Sequence, residues 1–281
     1  MLPFTWKLAH GRSLQLGRKS RVMGVLNLTP DSFSDGGRFT ELDRALDQAD
    51  RMVAEGADII DVGGESTRPG GDPVAAAEEQ RRVLPVIEAL AQRIDAVISI
   101  DTYREETARL AVAAGAHIVN DVWGAQREPG IARVAAETGA GLVLMHTGRD
   151  RDKLPDVIAD QFAFLSRSLE IAAEAGVERE RILLDPGFGF AKDAGENLEI
   201  IARFEELRGL GVPFLVGTSR KRFIGHVTGR DPDDRGPGTA ATSVVLRLKG
   251  AVIFRVHDVA INIDALAIAD AVLEHARSAE N

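Results

Sequence analysis

The sequence predicts an α/β fold: a (β/α)8 TIM barrel forming one domain over residues 1–281, with a short N-terminal β-hairpin over residues 1–21 capping it. Three observations carry this. Eight short apolar, β-branched runs recur, at 22–28, 58–64, 96–102, 117–121, 141–146, 181–187, 213–219 and 252–258, each ending in a polar cluster. Helical patterns separate them. No low-complexity segment or long linker splits the chain, and 281 residues suit one α/β barrel. An open doubly wound sheet is the competing architecture.

Each element has its own reason. Residues 4–8 and 13–16, with a turn near Gly11, read as the hairpin. The eight runs are continuously apolar, as strands buried on both faces must be. Val83, Val86, Ile87, Leu90 and Ile94 recur at three-to-four spacing and predict a helix over 75–93. Similar patterns predict helices over 105–114, 129–138, 156–175, 197–210, 239–249 and 260–277. Gly56, Gly115, Gly139, Gly176 and Gly211 sit where a helix stops, the position of a left-handed cap. Right-handed crossovers between eight such units close naturally into a barrel.

Composition narrows the function. Lys plus Arg is 34 and Asp plus Glu is 43, a formal charge of −9. An acidic chain lacks the basic face that nucleic-acid binding needs, so no nucleic-acid partner is expected. The chain has no cysteine, which excludes disulfides, thiolate nucleophiles and cysteine-based metal sites. No apolar run approaches the length of a membrane span and residues 1–21 lack a signal-peptide core, so no membrane partner and a cytoplasmic location are expected.

The strand ends carry the chemistry. In such barrels the active site forms where the strands end, and here those ends hold Asn27, Asp61, Asp101, Asn120, His146, Asp185, Ser219, Arg255 and His257. Burying that many polar groups unpaired would cost about 1–3 kcal/mol each, so a polar ligand is the simplest partner. Asp101, Asn120 and Asp185 match a flat heterocycle rich in N–H donors, with metal ligation as the alternative. The string from Thr218 to Arg222 opens a helix, with Ser219 as its cap and Lys221 beside it, and suits an anion. Alternation places Arg255 and His257 on one strand face, a pair suited to a polyphosphate. The segments 27–37 and 63–71, rich in Gly and Pro, read as mobile loops over the mouth. His146 stays open between a structural and a functional role; His10, His117, His226 and His275 read as structural.

The strings Gly24-Val-Leu-Asn-Leu-Thr-Pro-Asp-Ser-Phe-Ser-Asp-Gly-Gly37, Gly64-Glu-Ser-Thr-Arg-Pro-Gly70, Ser99-Ile-Asp-Thr102, Asp185-Pro-Gly-Phe-Gly-Phe190, Ser219-Arg-Lys221 and Arg255-Val-His-Asp258 together resemble the dihydropteroate synthase family of folate biosynthesis. The resemblance runs from about residue 22 to the end. It implies an enzyme, a transferase joining the methylene of dihydropterin pyrophosphate to the amine of 4-aminobenzoate with release of diphosphate. It implies Mg²⁺ as cofactor, these small molecules as substrates, sulfonamides as competitors of the amine, and a homodimer. Carried over by position, Asp101, Asn120, Met145, Asp185 and Lys221 hold the pterin. Asn27, Thr67, Arg255 and His257 hold the diphosphate, and Asn27 also ligates the metal. Phe33, Thr67, Arg68, Pro69, Phe190, Ser219 and Arg222 shape the aminobenzoate pocket. Lys221, Arg255, Asp101 and Asp185 are the catalytic set, and Asp35 approaches the pterin. The chain departs from the family at Thr147, where many members have methionine, and at Arg222, where many have serine.

Overall fold

The structure is a computed structural model of the chain and describes residues 3–28, 38–65 and 74–279, with only the backbone for 38–40 and 279. An antiparallel hairpin, β1 (Phe4–Lys7) and β2 (Ser13–Leu16), opens the chain. Eight parallel strands follow: β3 (Arg21–Asn27), β4 (Ile59–Gly63), β5 (Val97–Asp101), β6 (Ile118–Asp121), β7 (Gly141–Met145), β8 (Ile182–Asp185), β9 (Leu215–Val216) and β10 (Ile253–Val256). They pair in the order β8-β7-β6-β5-β4-β3-β10-β9. The Leu184 N–H donates to the Pro213 carbonyl at 3.1 Å and closes the ring between β8 and β9. The expected barrel and hairpin are both present.

The helices lie outside the ring. They are α1 (Arg38–Ala54), α2 (Ala76–Arg93), α3 (Glu105–Ala113), α4 (Gly130–Thr138), α5 (Val157–Glu174), α6 (Ala194–Ala202), α7 (Arg222–Thr228), α8 (Gly236–Leu248) and α9 (Val259–Ala279). None of the described helices is long and apolar enough to cross a membrane. Helix α5 starts where the sequence predicts, because the Asp156 carboxylate accepts from the Ile158 and Ala159 N–H groups.

Two expected elements differ. The helix expected over 197–210 is two pieces. α6 begins earlier, at Ala194, behind a capping box in which Asp193 and Glu196 bond each other's backbone. It stops at Ala202, and a 3₁₀ turn over Phe204–Leu210 follows. Phe204, Leu207 and Leu210 are three apart and buried, the spacing that a 3₁₀ helix brings onto one face. The strand expected over 213–219 keeps ladder geometry only at Leu215–Val216. Pro213 has no N–H to pair. Past Gly217 the chain turns away, with Arg220 at φ +57°.

Side-chain alternation along the strands makes the layers inside the barrel. Met23, Ile59, Val97, Ile118, Val143, Leu183, Leu215 and Ile253, one from each barrel strand, form a dry floor. Trp6, Leu8 and Leu16 of the hairpin region close that floor from below. The Trp6 indole N–H is satisfied by the Arg181 carbonyl at 2.8 Å. Two residues further along the same inward faces come Asp61, Ser99, Asn120, Met145, Asp185, Gly217 and Arg255. A second hydrophobic layer, including Leu26, Val62, Ile100, Leu144 and Leu184, seals strands to helices.

Candidate active site

The inward polar layer opens into a cavity at the C-terminal mouth. Its walls are Asn120, Val122, Met145, Asp185, Phe188, Phe190, Gly217, Lys221 and Arg255. Six of these, Asn120, Met145, Asp185, Phe190, Lys221 and Arg255, are among the residues singled out from sequence. Asp101 joins them through Arg255, whose guanidinium donates to Asp101 Oδ2 at 2.7 Å.

Arg255 also donates from Nε to Asp61 Oδ2 at 2.6 Å. Asp61 is fully buried. Asn120 Nδ2 reaches the same oxygen at 3.3 Å. These contacts fix the guanidinium plane from two sides. Sequence reasoning placed Asp61 at a strand end and gave it no role. The available signal was a carboxylate inside an apolar strand, two residues past a floor position. Phe188, Val122 and Gly217 were missed as walls for a plainer reason: apolar and glycine residues near strand ends look alike whether they face a ligand or a helix.

Among the described residues, Asp61 Oδ1, Ser99 Oγ and Asp101 Oδ1 are buried without a hydrogen-bond partner. Native interiors rarely leave such groups unpaired. Acceptors held this way suit the N–H edge of a heterocycle better than they suit a closed core.

The charges are tuned by burial. Burial pushes the Asp101 carboxyl up to about 7 against the pull of Arg255. Burial lifts Asp185 to about 6, although the Gly187 N–H, at 2.7 Å, and Lys221 oppose it. Lys221 is lowered to about 8 by burial and by Arg255, with Asp185 opposing. Arg255 stays firmly charged: burial opposes ionisation, but Asp61 and Asp101 outweigh it.

Gly187 shapes the turn below Asp185. Its φ is +64°, and a Cβ there would collide with the His146 carbonyl, so only glycine fits. At the far side, the Lys221 ammonium lies 4.2 Å from the centre of the Phe190 ring.

Ser219 is not the helix cap the sequence suggests. α7 begins at Arg222, the N-cap position is Lys221, and no side chain caps it. The Ser219 hydroxyl instead accepts from the His257 N–H at 3.1 Å and meets His257 Nδ1 at 2.9 Å. The physical reason is the short β9: the chain leaves the ladder early, so Ser219 faces β10 rather than the helix. Arg220 needs no external anion, because it pairs with Asp258 at 3.0 Å. Arg222 is exposed at the start of α7. Phe33, Asp35, Thr67, Arg68 and Pro69 lie outside the described residues.

His146 belongs elsewhere. It is fully buried, with Nε2 at 2.9 Å from Asp160 Oδ2 and Nδ1 at 2.9 Å from the Lys192 ammonium. Burial lowers its pKa to about 4, so it stays neutral. Lys192 also donates to the Gly187 carbonyl at 2.9 Å, which braces the Asp185–Phe190 turn from behind. His10 and His117 are structural: His10 Nε2 meets the Val112 carbonyl and His117 Nδ1 accepts from the Ile98 N–H.

The donor set for Mg²⁺ is narrow. Among the described residues no group of three His, Asp or Glu side chains could hold a metal ion. Asn27 ends β3 beside Gly63, and a Cβ on Gly63 would stand 3.6 Å from Asn27 Oδ1. A single amide oxygen fits Mg²⁺, which keeps waters and takes most of its remaining ligands from phosphate.

Fold and mouth together define a (β/α)8 barrel with carboxylates and cations converging at the C-terminal mouth, the place where barrel enzymes hold their substrates. The sequence matches the family described as pterin binding enzyme over residues 23–257. It is 50% identical over 250 residues to the dihydropteroate synthase of Bacillus subtilis, covering 88% of this chain and 86% of that one. The solved dihydropteroate synthase of Clostridium difficile, described in the presence of pteroic acid, is 46% identical with a TM-score of 0.89, covering 92% of this chain and 98% of that one. The enzyme of Xanthomonas albilineans, solved with 4-aminobenzoic acid, is 45% identical with a TM-score of 0.90, covering 96% and 98%. The chain belongs to the dihydropteroate synthase family of pterin binding enzymes.

Proposed function

We propose that the enzyme condenses (7,8-dihydropterin-6-yl)methyl diphosphate with 4-aminobenzoate to give 7,8-dihydropteroate and diphosphate, with the work divided among three subsites. The observation that carries this is the meeting of Asp101, Asn120, Asp185, Lys221 and Arg255 at one mouth. In the first subsite, Asp101, Asn120 and Asp185 accept and donate along the pterin edge, Lys221 faces it, and Met145 lies against it. In the second, Arg255 and His257, with Asn27 and Thr67, take the diphosphate. In the third, Phe190, Ser219 and Arg222, with Phe33, Thr67, Arg68 and Pro69, receive the aminobenzoate.

The chemistry follows from charge. An arylamine is a weak nucleophile, so the methylene C–O bond breaks ahead of attack. The electron pair leaves on diphosphate oxygen, and the cation left behind is delocalised into the pterin ring. The amine nitrogen then bonds to the methylene carbon and releases a proton. Fixed charges do most of the work. Arg255 retains three N–H donors after its bonds to Asp61 and Asp101, enough to meet phosphate oxygens. Ionised Asp101 and Asp185 favour the electron-deficient ring. Lys221, Arg255, Asp101 and Asp185 are therefore the catalytic residues. Asn27 would hold Mg²⁺, which when bound supplies further neutralisation of the leaving charge.

We also propose a homodimer. Val245 and Leu248 on α8 and Ile268 and Val272 on α9 are exposed, and α8 and α9 pack on each other. An apolar patch of this kind is characteristic of an interface, and a second copy is the partner proposed. We place the enzyme in the cytoplasm, since a diphosphate ester does not cross a membrane unaided.

The test is to mix both substrates with Mg²⁺ and measure diphosphate and dihydropteroate together. Stoichiometric release of both is expected. A pterin-binding barrel that bound the substrates without releasing diphosphate would overturn the reading.

A further inference from the structure

Cations and aromatic rings alternate from the pocket to the rim. Beyond Lys221 and Phe190, the Arg149 guanidinium lies 4.6 Å from the Phe190 ring centre and 5.7 Å from that of Trp123. Arg127 lies 4.6 Å from the Trp123 ring and 4.6 Å from the Tyr103 ring. Arg104 ends the series, 4.5 Å from Tyr103. These side chains come from the segments after β5, β6, β7 and β8. They line the half of the mouth away from Asn27, which ends β3, and His257, which follows β10.

The members differ in availability. Arg104 is held by Glu65 at 2.7 Å and Glu79 at 2.8 Å. Arg127 is exposed and, among the described residues, makes no ion pair. Its charge lies over two rings while the residue stays exposed, and a guanidinium stacked in this way keeps N–H donors for an anion. The setting gives this meaning. The chain carries a net charge of −9, which repels an anionic substrate at long range. The local run of guanidinium groups opposes that repulsion near the mouth. The rings add a second match, because an aryl carboxylate offers a flat face and an anionic end together.

We propose that Arg127 and Arg149 form an outer subsite that captures carboxylate-bearing arylamines and so selects 4-aminobenzoate over neutral arylamines. The diphosphate substrate is not its ligand, since the groups assigned to that anion sit across the mouth. The inference rests on the condensation assigned above.

The test compares 4-aminobenzoate with neutral 4-aminobenzamide in the wild type, in Arg127→Ala and in Arg127→Ala combined with Arg149→Ala, at low and at high salt. The expected result is an about tenfold rise in KM for 4-aminobenzoate in the double variant at low salt, with kcat held. KM for the amide stays where it was, high salt narrows the wild-type preference for the acid, and Arg127→Lys restores most of it. A rim that merely stiffens the fold would move both amines together. Equal shifts for the two, or no shift for either, overturn the proposal. A wild type that condenses neither amine overturns the condensation reading and this inference with it.

Discussion

Arg255 and Asp61 are 194 positions apart in the chain and joined by a 2.6 Å bond from Nε to a carboxylate that water does not reach. β10 and β4 are not neighbours; β3 lies between them. The pair therefore bridges past β3 inside the barrel, and with Asp101 it sets where the guanidinium faces. Removing Asp61 is expected to be costly. Asp61→Ala should lower kcat/KM for the diphosphate substrate by about 100-fold, the ~3 kcal/mol typical of breaking a buried pair. Steady-state kinetics within about threefold of wild type would show that Arg255 needs no such anchor.

Arg255 itself should affect the two parts of its substrate unequally. Arg255→Ala removes contacts assigned to diphosphate and also leaves Asp61 and Asp101 facing each other without a cation. Calorimetry should find both the diphosphate substrate and a phosphate-free pterin bound more weakly, the former by the larger factor. Equal losses would remove the diphosphate role.

The pH dependence follows from the three tuned groups. Asp185 near 6 and Asp101 near 7 gain protons as the pH falls, and each then loses the acceptor proposed for pterin N–H groups. Lys221 near 8 loses its charge as the pH rises. Pterin-dependent kcat/KM should thus peak between about 7 and 8 and fall on both sides. Lys221→Ala should lose about 2–4 kcal/mol of transition-state stabilisation and its alkaline limb together. A profile flat from 5 to 9 would contradict the assignment. Stability has its own sign. Asp101 titrates near 3.9 when unfolded and about 7 when folded, so between these values the native state holds the extra proton and stability falls as the pH rises. Asp101→Asn should flatten that slope in denaturant titrations.

Trp6 tests the floor. It is fully buried among one residue from each barrel strand, and its indole bonds Arg181. Trp6→Ala should cost about 3–5 kcal/mol in chemical unfolding while leaving the pterin KM of the folded fraction near wild type. A loss below ~1 kcal/mol would mean the barrel closes without the hairpin.

Ile268 is 69% exposed on α9. Ile268→Glu should convert a dimer to a monomer in sedimentation at micromolar concentration, with far-UV circular dichroism unchanged. A wild type that sediments as a monomer would remove the proposed interface.

Much of this was legible beforehand, for identifiable reasons. Parallel strands buried on both faces leave unmistakable apolar runs, so all eight were found. Polar residues at their ends stand out against that background, which is why Asn120, Asp185 and Arg255, which line one cavity, could be singled out; Lys221 stood out instead as a cation at a helix start. The errors fall where local pattern and tertiary demand diverge. Residues 197–210 keep a helical rhythm, yet a break at Arg203 was needed to bury Phe204, Leu207 and Leu210. Ser219 has the residue type and position of a cap, yet its hydroxyl serves His257. His146, which the sequence leaves open between two roles, is decided by the fold: its ring turns toward α5 and Asp160.

The sequence alone determined the period-two alternation that sorts each strand into inward and outward faces, and hence which side chains enter the lumen. It also determined the order of eight units. Only closure of the barrel decided which inward residues meet. A carboxylate on β4, another on β5 and a guanidinium on β10 become partners because a ring brings distant strands within one lumen, and no local stretch of chain encodes that distance.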